Sequence, residues 1–404
     1  MANRRRWILR TEYLERLRRL KDDGTIKVIT GIRRCGKSVL LKQFADMLKK
    51  EDPNVSILYM NFESRRFGSI DDYRKLNEYF DRNLPKKHAY VFLDEIQNVK
   101  GWEKAVDSLL VDDDADVYVT GSNGYLLSSE FSTLITGRYS EISIFPFSFR
   151  EFLEMYPARE KSTDAMFAEY MASGSMPIID PDDDEDDNDS RLIGLYNDII
   201  TKDVRPRIGE GGDILNKISD AMMRDTGNET SYSNIAEISG VSKNTAKKYI
   251  TALEGAFLFY RADRLNVKTS EMLKTTSKYY ACDTGMRCSL LRKISDEGRM
   301  LENIVFLELL RRRYKVTVGS YYGREIDFVA SKKNERMYIQ VSFSIADEKT
   351  REREVASLKN IPDSYPKLIL TMDRVFGQLP YGIRTLNAVD WLLGKERVLQ
   401  CISA

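Results

Sequence analysis

Eight consecutive residues, Gly31-Ile32-Arg33-Arg34-Cys35-Gly36-Lys37-Ser38, have the types and spacing needed to hold a polyphosphate. They satisfy the pattern G-x-x-x-x-G-K-[ST] in full. The two glycines let the backbone curl so that successive N–H groups converge on one anion. A helix starting near Lys37 adds its positive end. Lys37 has the reach to meet β- and γ-phosphates, and the Ser38 hydroxyl is a hard oxygen ligand for Mg2+. The expected nucleotide contacts are Gly31, Arg33, Arg34, Cys35, Gly36, Lys37, Ser38 and Val39.

A second group lies downstream, where Ala89-Tyr90-Val91-Phe92-Leu93 runs straight into Asp94-Glu95. Such a run reads as a buried parallel strand, and the C-terminal ends of these strands are where open α/β sheets place ligands. Asp94 is expected to join Ser38 in holding Mg2+, and Glu95 to polarise an attacking water. Asn123 closes another strand-like run, Asp116–Ser122, where its amide would meet the γ-phosphate or that water. Arg138 follows Gly137 and is a candidate to offset transition-state charge, in its own subunit or a neighbouring copy.

The elements that position these groups are legible. Ile26–Thr30 is a β-branched strand leading into the phosphate loop, and Val39–Lys50 is a helix leaving it. Trp7–Leu20 carries apolar residues at helical spacing. Val55–Phe62 reads as a strand, and helical text follows to Leu84.

Composition bounds the rest. A chain of 404 residues is too long for one core and suggests several domains. With 42% hydrophobic and 31% charged residues it reads as globular. A net charge of +1 gives no global pull on nucleic acid, so any such role rests on local basic patches. No apolar run is long enough to cross a bilayer, so no membrane partner is expected. Four cysteines without metal-ligand spacing suit a reduced, cytoplasmic setting. A single histidine excludes His-rich metal sites.

The segments TGIRRCGKS, VFLDEIQNVKGWEKAV, VYVTGSN, TGRY and IFPFSFREFLE resemble the AAA-type ATPases of the prokaryotic, archaeal-type group. The resemblance is specific over roughly the first third of the chain. It implies nucleotide binding at Gly36, Lys37 and Ser38, Mg2+ coordination at Asp94, catalysis at Glu95 and a sensor role at Asn123. ATP and Mg2+ are the cofactors it implies.

Beyond this core, Phe149–Arg207 reads as helical, interrupted by Ser173–Pro177. The acidic run Asp180–Asp189 reads as a solvated, mobile loop. Ser233–Leu253 has helix-turn-helix grammar. Gly240 permits the turn, Ser242 caps the second helix, and Lys243, Lys247 and Lys248 lie outward as a candidate nucleic-acid contact. The last segment resembles a restriction-endonuclease-like fold, with Asp327 on one strand of a hairpin and Gln340-Val341-Ser342 on the next. In that fold an acid-x-Lys triplet stands at the second position. Here the acid is an amide and the lysine is missing, so Glu302, Asp327 and Gln340 read as the remnant of a nuclease site, with Lys332 and Lys333 too far away in the hairpin turn.

The expected fold is therefore α/β throughout. It comprises a P-loop AAA-type core over 1–148, a helical connector over 149–215, a winged helix over 216–265 and a small endonuclease-like α/β domain over 266–404. The leading functional expectation is an Mg-dependent ATPase that couples nucleotide state to its C-terminal half and acts on DNA, with further copies of itself as candidate partners. The alternatives are a slow nucleotide switch or interaction scaffold and an ATP-regulated nuclease. DNA-stimulated turnover, tight ADP retention and metal-dependent nicking would distinguish the three.

Overall fold

The computed structural model describes residues 7–122, 124, 137–157, 160–209, 211–292, 296–374 and 377–395. Two compact units partition the chain, residues 1–145 with 255–257, and the remainder.

The first unit holds a five-stranded, all-parallel sheet. In chain order its elements are α1 (Thr11–Leu20), β1 (Ile26–Thr30), α2 (Lys37–Glu51), β2 (Ser56–Asn61), α3 (Tyr73–Asn83), β3 (Ala89–Asp94), α4 (Trp102–Asp112), β4 (Ala115–Gly121) and β5 (Tyr139–Ser143). The strands lie in the order β2-β3-β4-β1-β5. Helices cover both faces of such a sheet, so its strands are apolar on both sides, and every residue of β1 and β3 is buried. Lys27 is tolerated inside β1 because its ammonium pairs with Asp116 on β4 and lies 3.0 Å from Asp23. The order places β4 between the loop-bearing β1 and the carboxylate-bearing β3. The C-terminal ends of β1, β2, β3 and β4 then converge on one edge. Helix α1 starts later than the apolar spacing predicts, at Thr11, and Trp7 and Leu9 are exposed.

The second unit opens with helices α5 (Phe149–Met155), α6 (Thr163–Ser173) and α7 (Glu185–Ile199), the last continued by a π-turn into the short α8 (Arg205–Ile208). The acidic run is not simply a loop, as the sequence suggested. Asp184 caps α7, its side chain accepting from the Asp186 N–H, and Glu185, Asp186 and Asp187 form the first turn. Carboxylates there meet the positive end of the helix, which turns a charge run into a helix start.

Next come α9 (Gly212–Arg224), β6 (Glu229–Thr230), α10 (Tyr232–Ser239), α11 (Lys243–Gly255) and the hairpin β7 (Phe259–Asn266)–β8 (Glu271–Ala281). The chain then runs through α12 (Thr284–Leu291), α13 (Glu297–Arg311), β9 (Lys315–Tyr321), β10 (Arg324–Lys332), β11 (Glu335–Ser342), α14 (Glu348–Leu358), β12 (Lys367–Thr371), β13 (Ile383–Asn387) and α15 (Ala388–Leu392). All eight strands form one mixed sheet, ordered β13-β12-β11-β10-β9-β7-β8-β6. β7 and β9 pair in parallel, Leu265 opposite Gly319, so the sheet runs unbroken across residues 265 and 266.

Candidate functional site

The phosphate loop bridges β1 and α2. Gly31 has φ +146°, and a Cβ there would lie 2.2 Å from the Ile144 carbonyl oxygen, so only glycine fits. Gly36 precedes α2 with φ +107°, again a glycine conformation. Between them the Cys35 side chain is fully buried, its Sγ 3.7 Å from the Ile144 oxygen, and burial pushes its thiol up, out of the reactive range.

Lys37 is 4% exposed. Its Nζ donates to the carbonyls of Gly31 at 3.0 Å and Ile32 at 3.2 Å and lies 3.7 Å from Glu95 Oε1. Ser38 follows on the first turn of α2, and its hydroxyl donates to Asp94 Oδ1 at 2.9 Å. Val39 continues the helix. At the rim Arg33 pairs with Glu63 at 3.1 Å, and Arg34 takes a left-handed backbone with φ +64°.

Asp94 is fully buried and held by four neutral donors. Oδ1 accepts from Ser38 and from Thr120 Oγ1 at 2.7 Å, and Oδ2 accepts from Tyr59 at 3.0 Å and Asn61 at 2.7 Å. Tyr59 and Asn61 stand two apart on β2, hence on one face, and Asn61 is in register with Asp94. Glu95 turns out of β3 in a left-handed conformation, φ 56° and ψ 49°. That conformation is uncommon for a residue with a Cβ and typical of functional sites, where it costs on the order of 1–3 kcal/mol. Its N–H donates to Thr120 Oγ1 at 2.9 Å, so a single hydroxyl ties together both acidic residues. Glu95 Oε2 accepts from Gln97 at 2.6 Å. Burial pushes the Glu95 carboxyl up, but the Lys37 charge outweighs it, with help from Gln97, Arg33 and Ser122, and the net shift is downward. Glu95 is therefore ionised at neutral pH.

A hydroxyl and a carboxylate in hydrogen-bond contact, both hard oxygen donors beside a phosphate loop, fit Mg2+. Ser38 would ligate it, and Asp94 would hold its water shell.

The structure thus brings together Gly31, Arg33, Arg34, Cys35, Gly36, Lys37, Ser38, Asp94 and Glu95. Asn123 lies outside the described residues. Arg138 is not brought to the site within its own chain. It precedes β5 at the opposite edge of the sheet, half exposed and 3.4 Å from Asp107, because Tyr139 pairs with the first residue of β1 and the loop follows the last. Tyr59, Asn61 and Thr120 went unmarked in the sequence reading. The signal for the first two was their period-two spacing at the end of a strand, and for Thr120 its place in VYVTGSN.

In the second unit Lys243 and Lys247 are exposed on α11, whereas Lys248 donates to the Ile208 carbonyl at 3.0 Å. Gln340 is bonded at both ends of its amide within the protein. Its Oε1 accepts from the Asp327 N–H at 2.8 Å, and its Nε2 donates to Glu354 at 2.7 Å. Asp327 Oδ2 accepts from the Val341 N–H at 2.8 Å. Burial, with Glu302 nearby, pushes the Asp327 carboxyl well above the usual range. A lysine that the sequence reading did not single out lies beside these acids. Lys278, on β8, reaches Glu302 at 3.0 Å and Glu325 at 2.8 Å. Tyr280 donates to the same Glu302 oxygen at 2.7 Å. Among the described residues no group of three or more His, Cys, Asp or Glu could hold a metal ion, and no helix is long and apolar enough to cross a membrane.

The family model of an AAA domain matches residues 23–153, the span that builds this edge. A protein of Haemophilus influenzae is 38% identical over 399 residues, 96% of this chain and 98% of that one. The chain carries an AAA domain and belongs to one family with the Haemophilus influenzae protein. A Methanocaldococcus jannaschii protein is 31% identical over 354 residues, 82% of this chain and 77% of its own. Both relatives are described only as uncharacterised. A domain of unknown function (DUF8612) matches residues 164–297 of this AAA-type chain. Among solved structures, a Walker-type ATPase of Pyrococcus abyssi aligns with a TM-score of 0.47 at 14% identity, covering 70% of this chain and 96% of that one.

Proposed function

We propose that the first unit binds ATP with Mg2+ and hydrolyses it, and that the second unit converts the nucleotide state into action on DNA. The observation that carries the first half is the convergence of Lys37, Ser38, Asp94 and Glu95 on one sheet edge, within 2.9–3.7 Å contacts. The phosphates lie along the loop N–H groups and draw Lys37 from the Gly31 and Ile32 carbonyls. Held by Ser38 and, through its water shell, by Asp94, Mg2+ would supply charge neutralisation to the phosphates. Glu95 accepts a proton from water as the water oxygen bonds the γ-phosphorus. The bond to the bridging oxygen breaks, and ADP leaves with the electron pair. Asn123 would position the water. Arg138 can serve only a neighbouring copy.

Residues 216–265 are read as a winged helix, α11 presenting Lys243 and Lys247 to DNA phosphates. The C-terminal sheet is read as a nuclease-like fold without nuclease activity, because Lys278 pairs with Glu302 and Glu325 and the Gln340 amide brings no charge to a metal site. ATP turnover with and without DNA tests the whole reading, and stimulation by DNA is expected. Lys37→Ala should abolish tight Mg–ATP binding in calorimetry. Glu95→Gln should bind ATP normally and hydrolyse it about 10²–10⁴-fold more slowly. Unchanged turnover in Glu95→Gln would sink the catalytic assignment. Slow turnover with tight ADP retention and no response to DNA would instead mark a nucleotide switch.

A further inference from the structure

Beneath the phosphate loop lies a buried arginine that the hydrolysis chemistry does not use. Arg10 precedes α1 and is 2% exposed. Its Nη1 donates to the Cys35 carbonyl at 3.0 Å and its Nη2 to the Phe145 carbonyl at 3.0 Å. The guanidinium carbon sits 4.8 Å from the centre of the Tyr13 ring. Tyr13 in turn accepts from the Phe145 N–H at 3.3 Å. The segment carrying Arg10 is strapped to α2, since Gln43 donates to the Ile8 carbonyl at 2.6 Å and accepts from the Arg10 N–H at 3.4 Å.

We propose that Arg10 is a positioning residue for the phosphate loop, holding the Cys35–Gly36 peptide so that the Gly36 N–H faces the bound phosphates. The reasoning is stereochemical. In a trans peptide the carbonyl and the following N–H point in opposite directions, and no described peptide bond is cis. Fixing the Cys35 oxygen on Arg10, behind the loop, turns the Gly36 N–H to the front. Gly36 needs this restraint because glycine has the widest backbone freedom of any residue. A Cβ at Gly36 would lie 3.5 Å from Arg10 Nη1, which shows how directly the guanidinium backs that peptide. The planar fork suits two carbonyls from different segments, and its charge adds to the field felt by an anion in front. Lysine would keep the charge and reach one carbonyl.

This inference rests on the ATP-binding reading, and its test separates the two. Wild type, Arg10→Ala, Arg10→Lys and Lys37→Ala are titrated with Mg–ATP, and inorganic tripolyphosphate is used as a competitor. Melting curves check the fold, and steady-state kinetics give KM and kcat. Losing a charge-assisted hydrogen bond should weaken Mg–ATP and tripolyphosphate binding about tenfold or more in Arg10→Ala and about threefold in Arg10→Lys. KM should rise in step, with kcat at saturating ATP within about threefold of wild type. If wild type binds no Mg–ATP, the ATP-binding reading falls, and this inference with it. If wild type binds, Lys37→Ala does not and folded Arg10→Ala retains wild-type affinity, Arg10 is not a positioning residue. A lowered melting temperature with unchanged affinity and KM overturns it equally. If Arg10→Ala does not fold, Arg10→Lys decides, and wild-type affinity there overturns the proposal.

Discussion

Thr120 receives the Glu95 N–H and donates to Asp94, so one methyl-for-hydroxyl exchange reaches both acids. Thr120→Val keeps the shape, leaves a buried N–H unpaired and frees the Glu95 backbone. Stability should fall by about 1–3 kcal/mol. Hydrolysis should slow by about 10–100-fold, because a catalytic group loses its placement. Single-turnover kinetics against thermal melting would separate the two effects, and a variant with wild-type turnover would show that Glu95 is placed by other contacts. A second residue-scale consequence concerns pH. Burial pushes the Glu254 carboxyl up to about 7, with Arg261 pulling it down and Asp263 opposing that pull. The unfolded chain ionises at its ordinary 4.5, so the unfolded state sheds its proton first as pH rises. Stability from this group is therefore present below pH 4.5 and lost as pH climbs through 7. Glu254→Gln should raise the melting temperature above wild type at pH 8, a gain on the order of 2–3 kcal/mol, and match it at pH 4. Equal melting curves at both pH values would refute the shift. At this scale the loop and the two acids were legible because their chemistry is local in sequence. Tyr59, Asn61 and Arg10 were not, because a register and a fold bring them in from other elements.

At the scale of elements, α11 and the Lys278 cluster carry the predictions. Lys243 and Lys247 are free to meet phosphates, while Lys248 is already bonded to the Ile208 carbonyl. Replacing Lys243 and Lys247 by Ala should weaken DNA binding similarly for all sequences. The slope of log K against log salt should flatten by about 0.9 per lost contact. Lys248→Ala should leave that slope nearly unchanged, and an equal effect from all three would show that the Ile208 bond gives way on binding. In the cluster, burial disfavours charge on Lys278, yet Glu302, Asp327 and Glu325 hold its proton more tightly than an ordinary lysine does. Lys278→Met leaves the largely buried Glu302 with the Tyr280 hydroxyl but without its cation, and should cost about 3–5 kcal/mol. Denaturant melts showing a loss under 1 kcal/mol would mean that the carboxylates escape to water or take up protons. Wild-type protein should leave single-stranded, duplex and branched DNA uncut with Mg2+ or Mn2+. Cleavage that disappears in Asp327→Ala would reverse that reading. Periodicity revealed the helix pair and the β10–β11 hairpin. The Lys278–Glu302 pair was invisible because its members lie on β8 and α13, 24 residues apart, and only the fold brings them together. The acidic run misled because charge density alone does not distinguish a loop from the first turn of a capped helix.

At the scale of the whole molecule, the pairing of β7 with β9 joins segments that the sequence suggested treating as separate domains. A fragment ending at residue 265 would strip β7 of both its neighbours, β8 and β9, and such bare strand edges invite aggregation. Light scattering should show that fragment self-associating, while full-length protein stays monodisperse at equal concentration. A soluble fragment with native-like circular dichroism would show that the two halves of the sheet fold independently.

The phosphate loop also has a place in time. Its Gly31 sits against Ile144, and Arg10 fixes the Cys35 peptide together with Phe145, residues made more than a hundred positions after the loop itself. A ribosome adding roughly 5–20 residues per second needs on the order of ten seconds to cover that distance. A nascent chain would therefore display the complete G-x-x-x-x-G-K-S signature well before it owned a formed nucleotide site. Capture of ATP would mark the moment when the first unit closes during synthesis.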